Sequence, residues 1–387
     1  MGSSREPRVW AAVVAAVAIV VGGCAAGAGS PSNRSRGAAD GLPTGRFEIV
    51  GRRIYDPDGR RFYPIGANVA VRQGRYEHGY TFNWNGTATG RSADVAAWGW
   101  NTVRANLVCL PPGDPSTADL DAGIDDLIDE YTARRIVVMV ECHDLTGRNP
   151  RLDDSSTQRV LGFWDRLATR WRNNPYVWFN PFNEPVSHGG AAANDAWLAL
   201  QRGALTRIRA IAPDNVFVAD LPRYGQGVEA LTGADSVTRL GAGRHNVLYS
   251  WHAYGAVGVG GAFGRYEDNA NEAASRADHE AVLRYAYDHD IPLVIGEFGD
   301  PLTLGEGSAG PPIWNRIGAR AVMDLAPRYE VGLLWWHATG DSNNSLTYSL
   351  MADRHRAPWS AAGDGNGLSD GGRRFWNVSK NPPALQP

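Results

Sequence analysis

The 387-residue chain carries 43% hydrophobic and 20% charged residues, a formal net charge of −3 and a pI near 6.3. That balance supplies apolar residues for a large packed core and excludes a disordered polar chain. It also excludes the strongly basic domain typical of nucleic-acid binders, so no nucleic-acid partner is expected.

The chain opens with an export signature. Arg5 and Arg8 form a positive segment, Val9 to Val21 carries no charge, and two small glycines precede Cys24. The apolar run is shorter than the roughly 20 residues of a transmembrane helix. The segment VGGC resembles a bacterial lipobox, which implies that residues 1–24 are a lipoprotein signal peptide and that Cys24 is the lipidated first residue of the mature protein. The alternative is plain secretion, with cleavage in the Ala-rich stretch beyond Cys24. Either way the protein is expected outside the cytoplasm, held to the membrane by a lipid anchor or free. Residues 25–44 are small, polar and Pro/Gly-containing, and read as a flexible tether.

Residues 45–387 read as one domain. Residues 46–62 predict a β-hairpin, with Asp56-Pro57-Asp58-Gly59 as a strong turn sequence. Eight short runs rich in β-branched or aromatic residues follow, centred near residues 65, 104, 139, 180, 218, 249, 295 and 334. Between them lie stretches with apolar residues at helical spacing: Ala118–Arg134, Thr157–Trp171, Asn194–Ile211 and Ala273–His289. Near the C-terminus, LSDGGRRFWN predicts a last helix and the loop before it. Strand–helix alternation repeated eight times predicts an α/β fold, a (β/α)8 TIM barrel. A doubly wound open sheet is the alternative, though the Gly-rich dinucleotide fingerprint is missing.

Beyond Cys24 only Cys109 and Cys142 remain, at the ends of the second and third runs. In an exported protein a disulfide between neighbouring strand ends is permitted. The sequence leaves open a bond or two partly buried thiols. The spacing of Cys and His does not match a structural zinc site, and neither a metal nor a cofactor is expected.

Polar residues collect at the C-terminal ends of the runs. Arg104 lies in the second, His143 and Asp144 end the third, and Asn183 and Glu184 end the fourth. His252 and Tyr254 end the sixth, their two-residue spacing turning both to one side. Glu297 ends the seventh and Trp336 the eighth. In a parallel barrel these positions share one face, the face that holds the active site. Two facing carboxyl groups, Glu184 and Glu297, are what glycosidic hydrolysis requires: one protonates the leaving oxygen, the other attacks or activates water.

NEP at the end of run four, HAY at run six and GEFG at the end of run seven together resemble glycoside hydrolase family 5. The likeness spans residues 46–380. VECHDLTGR, WHAYG and LVIGEFG look most like bacterial β-mannanases, while GANVAVRQ in strand 1 and LLWWHATGD in strand 8 depart from them. The resemblance implies a retaining endo-β-1,4-glycan hydrolase of the mannanase or cellulase type, acting as a monomer on a β-linked polysaccharide or oligosaccharide. It implies Glu184 as general acid/base and Glu297 as nucleophile. Arg104, His143, Asn183, His252, Tyr254 and Trp336 become substrate-binding or orienting residues, with Asn183 on the sugar 2-hydroxyl and Trp336 as an apolar floor. Glu141, a third carboxylate in ECHD, reads as structural, because the family pattern leaves it no duty. The alternatives are an exo-acting β-glycosidase or transglycosylase on the same site, or a surface glycan-binding lipoprotein without hydrolysis.

Overall fold

A computed structural model describes residues 45–71, 74–75, 81–82, 90–110, 117–232, 236–254, 272–300, 313–338, 350–351 and 365–381. The signal peptide, Cys24 and the tether lie outside the described residues.

Each predicted run contains a strand, and the eight strands are β1 (Ile65–Ala70), β2 (Thr102–Leu107), β3 (Val137–Cys142), β4 (Val177–Asn180), β5 (Phe217–Asp220), β6 (Val247–His252), β7 (Leu293–Phe298) and β8 (Gly332–Trp335). All neighbours pair in parallel, and β8 returns to β1 with Leu333 opposite Ile65 and Trp335 opposite Ala67. The sheet is therefore a closed barrel and not an open doubly wound sheet. The helices between strands include Thr117–Thr132, Ser155–Trp171, Ala191–Arg209 and Glu272–Asp288, each within a few residues of its predicted span. A final helix runs from Asp370 to Lys380.

Alternation along each strand sorts the side chains into two shells. In β3, Val138 and Val140 face outward and join the core beneath the helices, with Leu127 and Trp164. Val137 and Met139 face inward and meet Trp178, Val218, Leu248, Val294 and Leu334 in the lower barrel. The predicted N-terminal hairpin is present and extends to a third strand, giving an antiparallel sheet of Glu48–Val50, Arg53–Tyr55 and Arg61–Phe62. Asp56 Oδ1 accepts the backbone N–H groups of Asp58 and Arg60, which turns the chain back for that third strand. Phe47 and Ile54 of this sheet cap the lower barrel, and Phe47 packs edge-on against Trp178 with ring centroids 5.2 Å apart. Burying a large apolar side chain in this way contributes about 1.5–3 kcal/mol.

The inward positions change character higher up. Above the apolar layer come Asn68, Arg104, Asn106, Glu141, Asn180, Asp220, Ser250 and His252, all fully buried. The closed lower barrel excludes water from one side, so these polar groups must satisfy one another.

Candidate active site

Arg104, from the middle of β2, organises this polar layer. Its Nε donates to Asn180 Oδ1 at 2.9 Å, Nη1 to Asn68 Oδ1 at 2.9 Å and to Glu297 Oε1 at 2.7 Å, and Nη2 to Asn183 Oδ1 at 2.8 Å and Asp220 Oδ2 at 3.0 Å. These contacts use all five N–H groups that a guanidinium offers. A side chain with fewer donors in a fixed fork could not replace it.

Glu297 reaches the layer through an irregularity in β7. Trp251 is level with Ile295, but the next residue, His252, is level with Glu297. One extra residue in β7 keeps Phe298 in the outer shell, against Trp335 and Phe375, and turns Glu297 into the barrel mouth. Gly296 is required there for space: a Cβ at this position would lie 2.1 Å from Ser250 Oγ. Tyr254 donates its hydroxyl to Glu297 Oε2 at 3.1 Å. Burial raises the Glu297 carboxyl above its usual range and Glu184 adds to this, against the pull of His252 and Arg104.

Glu184 lies beyond β4 in a left-handed backbone conformation, φ 42°, which a non-glycine residue holds only when its surroundings fix it. Those surroundings are on both sides of the peptide. Its N–H donates to Asp220 Oδ2 at 3.2 Å, and its carbonyl accepts from Gly147 N at 2.8 Å. Its side chain meets His252 Nδ1 at 2.7 Å through Oε1. The same ring nitrogen is 3.6 Å from Glu297 Oε2, and Nε2 is 3.3 Å from Asp220 Oδ2. Burial would lower the His252 pKa, but Glu297, Asp220 and the bond to Glu184 outweigh it and push it up to about 10. Asp220 shows the converse: burial would raise it, but Arg104 and His252 hold it well below the carboxylate range. Ligand-type atoms of Glu184, His252 and Glu297 all lie within 4.8 Å of one another.

The far wall is built from β3 and β8. His143 donates Nδ1 to Glu141 Oε1 at 2.7 Å, and its ring lies nearly parallel to Trp336, with centroids 5.4 Å apart and planes 24° apart. Burial would lower the His143 pKa, but Glu141 and Glu297 together outweigh it and raise it above the usual value. Asn183 is locked in orientation, its Oδ1 taken by Arg104 and its Nδ2 donating to Thr146 Oγ1 at 3.0 Å.

Every residue proposed from the sequence thus meets in one mouth, except Asp144, which supports a loop. Asp144 Oδ2 accepts the backbone N–H of Cys109 at 2.6 Å and of Leu110 at 3.3 Å, and burial pushes its carboxyl up to about 6. Beside it Cys109 and Cys142 are joined as a disulfide, with Cα atoms 5.6 Å apart. The sequence reading missed Asn68, Asn106, Asn180, Asp220 and His337. Asp220 and Asn180 could have been found, since each is the polar last residue of its strand; the others lie inside a strand or follow one with no motif. Glu141, read from the sequence as structural, accepts from His143 and Asn106 through Oε1.

The model of the cellulase family, glycosyl hydrolase family 5, matches residues 66–342 of the chain. The chain belongs to glycosyl hydrolase family 5. It is therefore a glycoside hydrolase, an enzyme that cleaves O-glycosyl bonds. Among characterised members, it is 27% identical over 317 residues to a mannan endo-1,4-β-mannosidase of Streptomyces lividans, covering 81% of this chain and 70% of the relative. It is 24% identical to an endoglucanase of a Microbulbifer species, covering 79% of this chain and 53% of that one. A β-mannanase structure from Thermomonospora fusca superposes with a TM-score of 0.60 at 21% identity, over 86% of this chain and 94% of the other. That likeness speaks for the barrel alone.

Proposed function

We propose that this family 5 enzyme is a retaining endo-β-1,4-glycan hydrolase, acting on mannan or on a cellulose-like glucan. The observation that carries the reading is the pair of carboxylates from β4 and β7 on one ring nitrogen of His252, with oxygens within 4.8 Å. Such a close approach suits direct attack, for which the carboxyl groups stand about 5–5.5 Å apart, and not the roughly 6.5–9.5 Å that admits an attacking water.

Glu297 attacks the anomeric carbon. Arg104 on Oε1 and Tyr254 on Oε2 orient both its oxygens. Glu184 protonates the leaving oxygen, then takes a proton from the water that releases the sugar. His252 occupies Glu184 Oε1, so Oε2 is the oxygen left to carry the transferred proton. Asn183, fixed by Arg104 and Thr146, offers its amide to the 2-hydroxyl, and Trp336 provides the floor. The mannan reading is supported by the VECHDLTGR, WHAYG and LVIGEFG segments and the mannosidase relative, and the glucan reading by the endoglucanase relative. For location, the VGGC segment supports an exported protein anchored through a lipid on Cys24, and mass spectrometry of the native N-terminus would test it.

The deciding experiment is product release from mannan, carboxymethylcellulose and xylan, with NMR of the first-formed sugar. Mixed short oligosaccharides with retained configuration are expected. Release of monosaccharide alone would make the enzyme exo-acting, and the opposite anomer would remove Glu297 as nucleophile.

A further inference from the structure

Glu141 is fully buried, and its two oxygens are used unequally. Oε1 accepts two short bonds, from His143 Nδ1 at 2.7 Å and from Asn106 Nδ2 at 2.6 Å. Oε2 has no hydrogen-bond partner among the described residues, and its nearest cation is Arg104 Nη2 at 3.9 Å. A buried carboxylate with an unsatisfied oxygen is costly, because that oxygen has given up its hydration without a replacement. An apolar residue would serve a purely structural position better, so the contacts of Oε1 need a reason.

Those contacts run by two routes into the wall built from β3 and β8. On one route is His143, whose ring lies along Trp336. On the other, Asn106 spends its amide hydrogens on Glu141 and on Asn68 Oδ1 at 3.1 Å. Its Oδ1 must therefore accept, and His337 Nε2 at 3.0 Å is the donor. His337 directly follows Trp336, and it is fully buried behind it. Burial, with His143 and Arg104 nearby, holds its pKa well below the usual value, so it stays neutral and keeps one ring proton for this bond.

We propose that Glu141 is a positioning residue of the hydrolytic reaction: one carboxylate oxygen fixes His143 directly and Trp336 through Asn106 and His337, and so sets the wall, built from these two stacked rings, that receives the sugar next to the cleaved bond. The inference rests on the reading of Trp336 and His143 as sugar-contacting groups. Among the described residues, the charged and titratable groups facing His143 include Glu141, Glu297, Arg104 and His337, from four different strands or strand ends.

The test uses Glu141→Gln, which keeps shape and an acceptor oxygen, and Glu141→Ala, which removes both. Two readouts are taken: steady-state kinetics on the preferred β-1,4-glycan, and NMR titration of the His143 ring. Glu141→Ala should lower kcat/KM by about 10–100-fold, the loss of hydrogen bonds to a charged group, with Glu141→Gln recovering most of it. The His143 titration midpoint should fall in Glu141→Gln. Wild-type kcat/KM in a folded Glu141→Ala protein, or an unmoved His143 titration in Glu141→Gln, would overturn the proposal. Should Glu141→Ala fail to fold, the Glu141→Gln titration and kinetics decide. A wild-type enzyme inert on every β-1,4-glycan would instead sink the substrate reading, and the His143 titration would still report whether Glu141 holds the ring.

Discussion

Arg104 Nη1 and Glu297 Oε1 meet at 2.7 Å inside the barrel, joining β2 to β7 with neither group more than 5% exposed. Their contact is one corner of a larger balance. Arg104 also neutralises Asp220 at 3.0 Å, and Asp220 in turn holds the Glu184 backbone. One cation therefore serves both glutamates, Glu297 through its carboxylate and Glu184 through its peptide.

Replacing that cation should be costly even when charge is kept. Arg104→Lys supplies three donors from a single point where five are used in a plane. We expect a destabilisation of about 3–5 kcal/mol for Arg104→Ala, because Asp220 and Glu297 are left buried and uncompensated. Arg104→Lys should fall between Ala and wild type and still lose most activity. Denaturant unfolding checks the first expectation and kcat the second. A Lys variant with wild-type kcat would show that the fork geometry is dispensable.

The two glutamates should separate cleanly on activated substrates. Glu297→Ala should lose activity on all glycosides, with azide restoring cleavage to an inverted product. Glu184→Ala should lose about 10²–10⁴-fold on the polysaccharide, yet form the glycosyl-enzyme at near wild-type rates from a glycoside whose leaving group needs no proton. Stopped-flow release of a nitrophenol reads that first step. Equal loss in both variants on the activated substrate would mean the roles are misassigned.

Two pH dependences follow from burial. Glu297 must be ionised to attack, and its pKa is raised by burial and by Glu184. The acid limb of kcat/KM should therefore lie above the range of an ordinary glutamate, and a limb within that range would contradict the buried Glu297. His252 acts on stability. Its folded pKa of about 10 exceeds the unfolded value of about 6.5, so the protein binds the proton more tightly when folded. That stabilisation is complete below about pH 6.5 and is lost as pH rises through 10. Tm measured from pH 6 to 10 should decline, and Asp220→Asn, which removes one of the charges raising His252, should flatten the decline. A Tm that rises over this window would contradict the ion-paired His252.

The disulfide should matter more for stability than for chemistry. Cys109 and Cys142 close a loop with a sequence separation of 33. The chain-entropy view gives about 3–4 kcal/mol for a loop of that size. The Cys109→Ser/Cys142→Ser double variant should unfold at correspondingly lower denaturant, and retain activity under conditions where it stays folded. An unchanged denaturation midpoint would show that Asp144, through the N–H groups of Cys109 and Leu110, already secures this loop.

Sequence by itself determined the barrel and marked Glu184 and Glu297 as the candidate pair. Short apolar runs at regular spacing admit few architectures, and strand parity sends residues such as Arg104 and His252 to one side. The NEP and GEFG segments mark Glu184 and Glu297 for the same reason: each polar group stands where an apolar run stops. Tertiary structure decided everything that depends on which strand faces which across the barrel. Parity says that Asn68, Asn106 and Asn180 point inward, but not that they would meet Arg104, because that depends on barrel closure and register. Parity alone would also have turned Glu297 outward; the extra residue in β7 reverses it. Glu141 reads locally as one more strand carboxylate, and only the approach of β2 and β8 brings it Asn106 and, through that amide, His337. The contact of Asn106 with His337 joins residues 231 positions apart, and no local pattern encodes it.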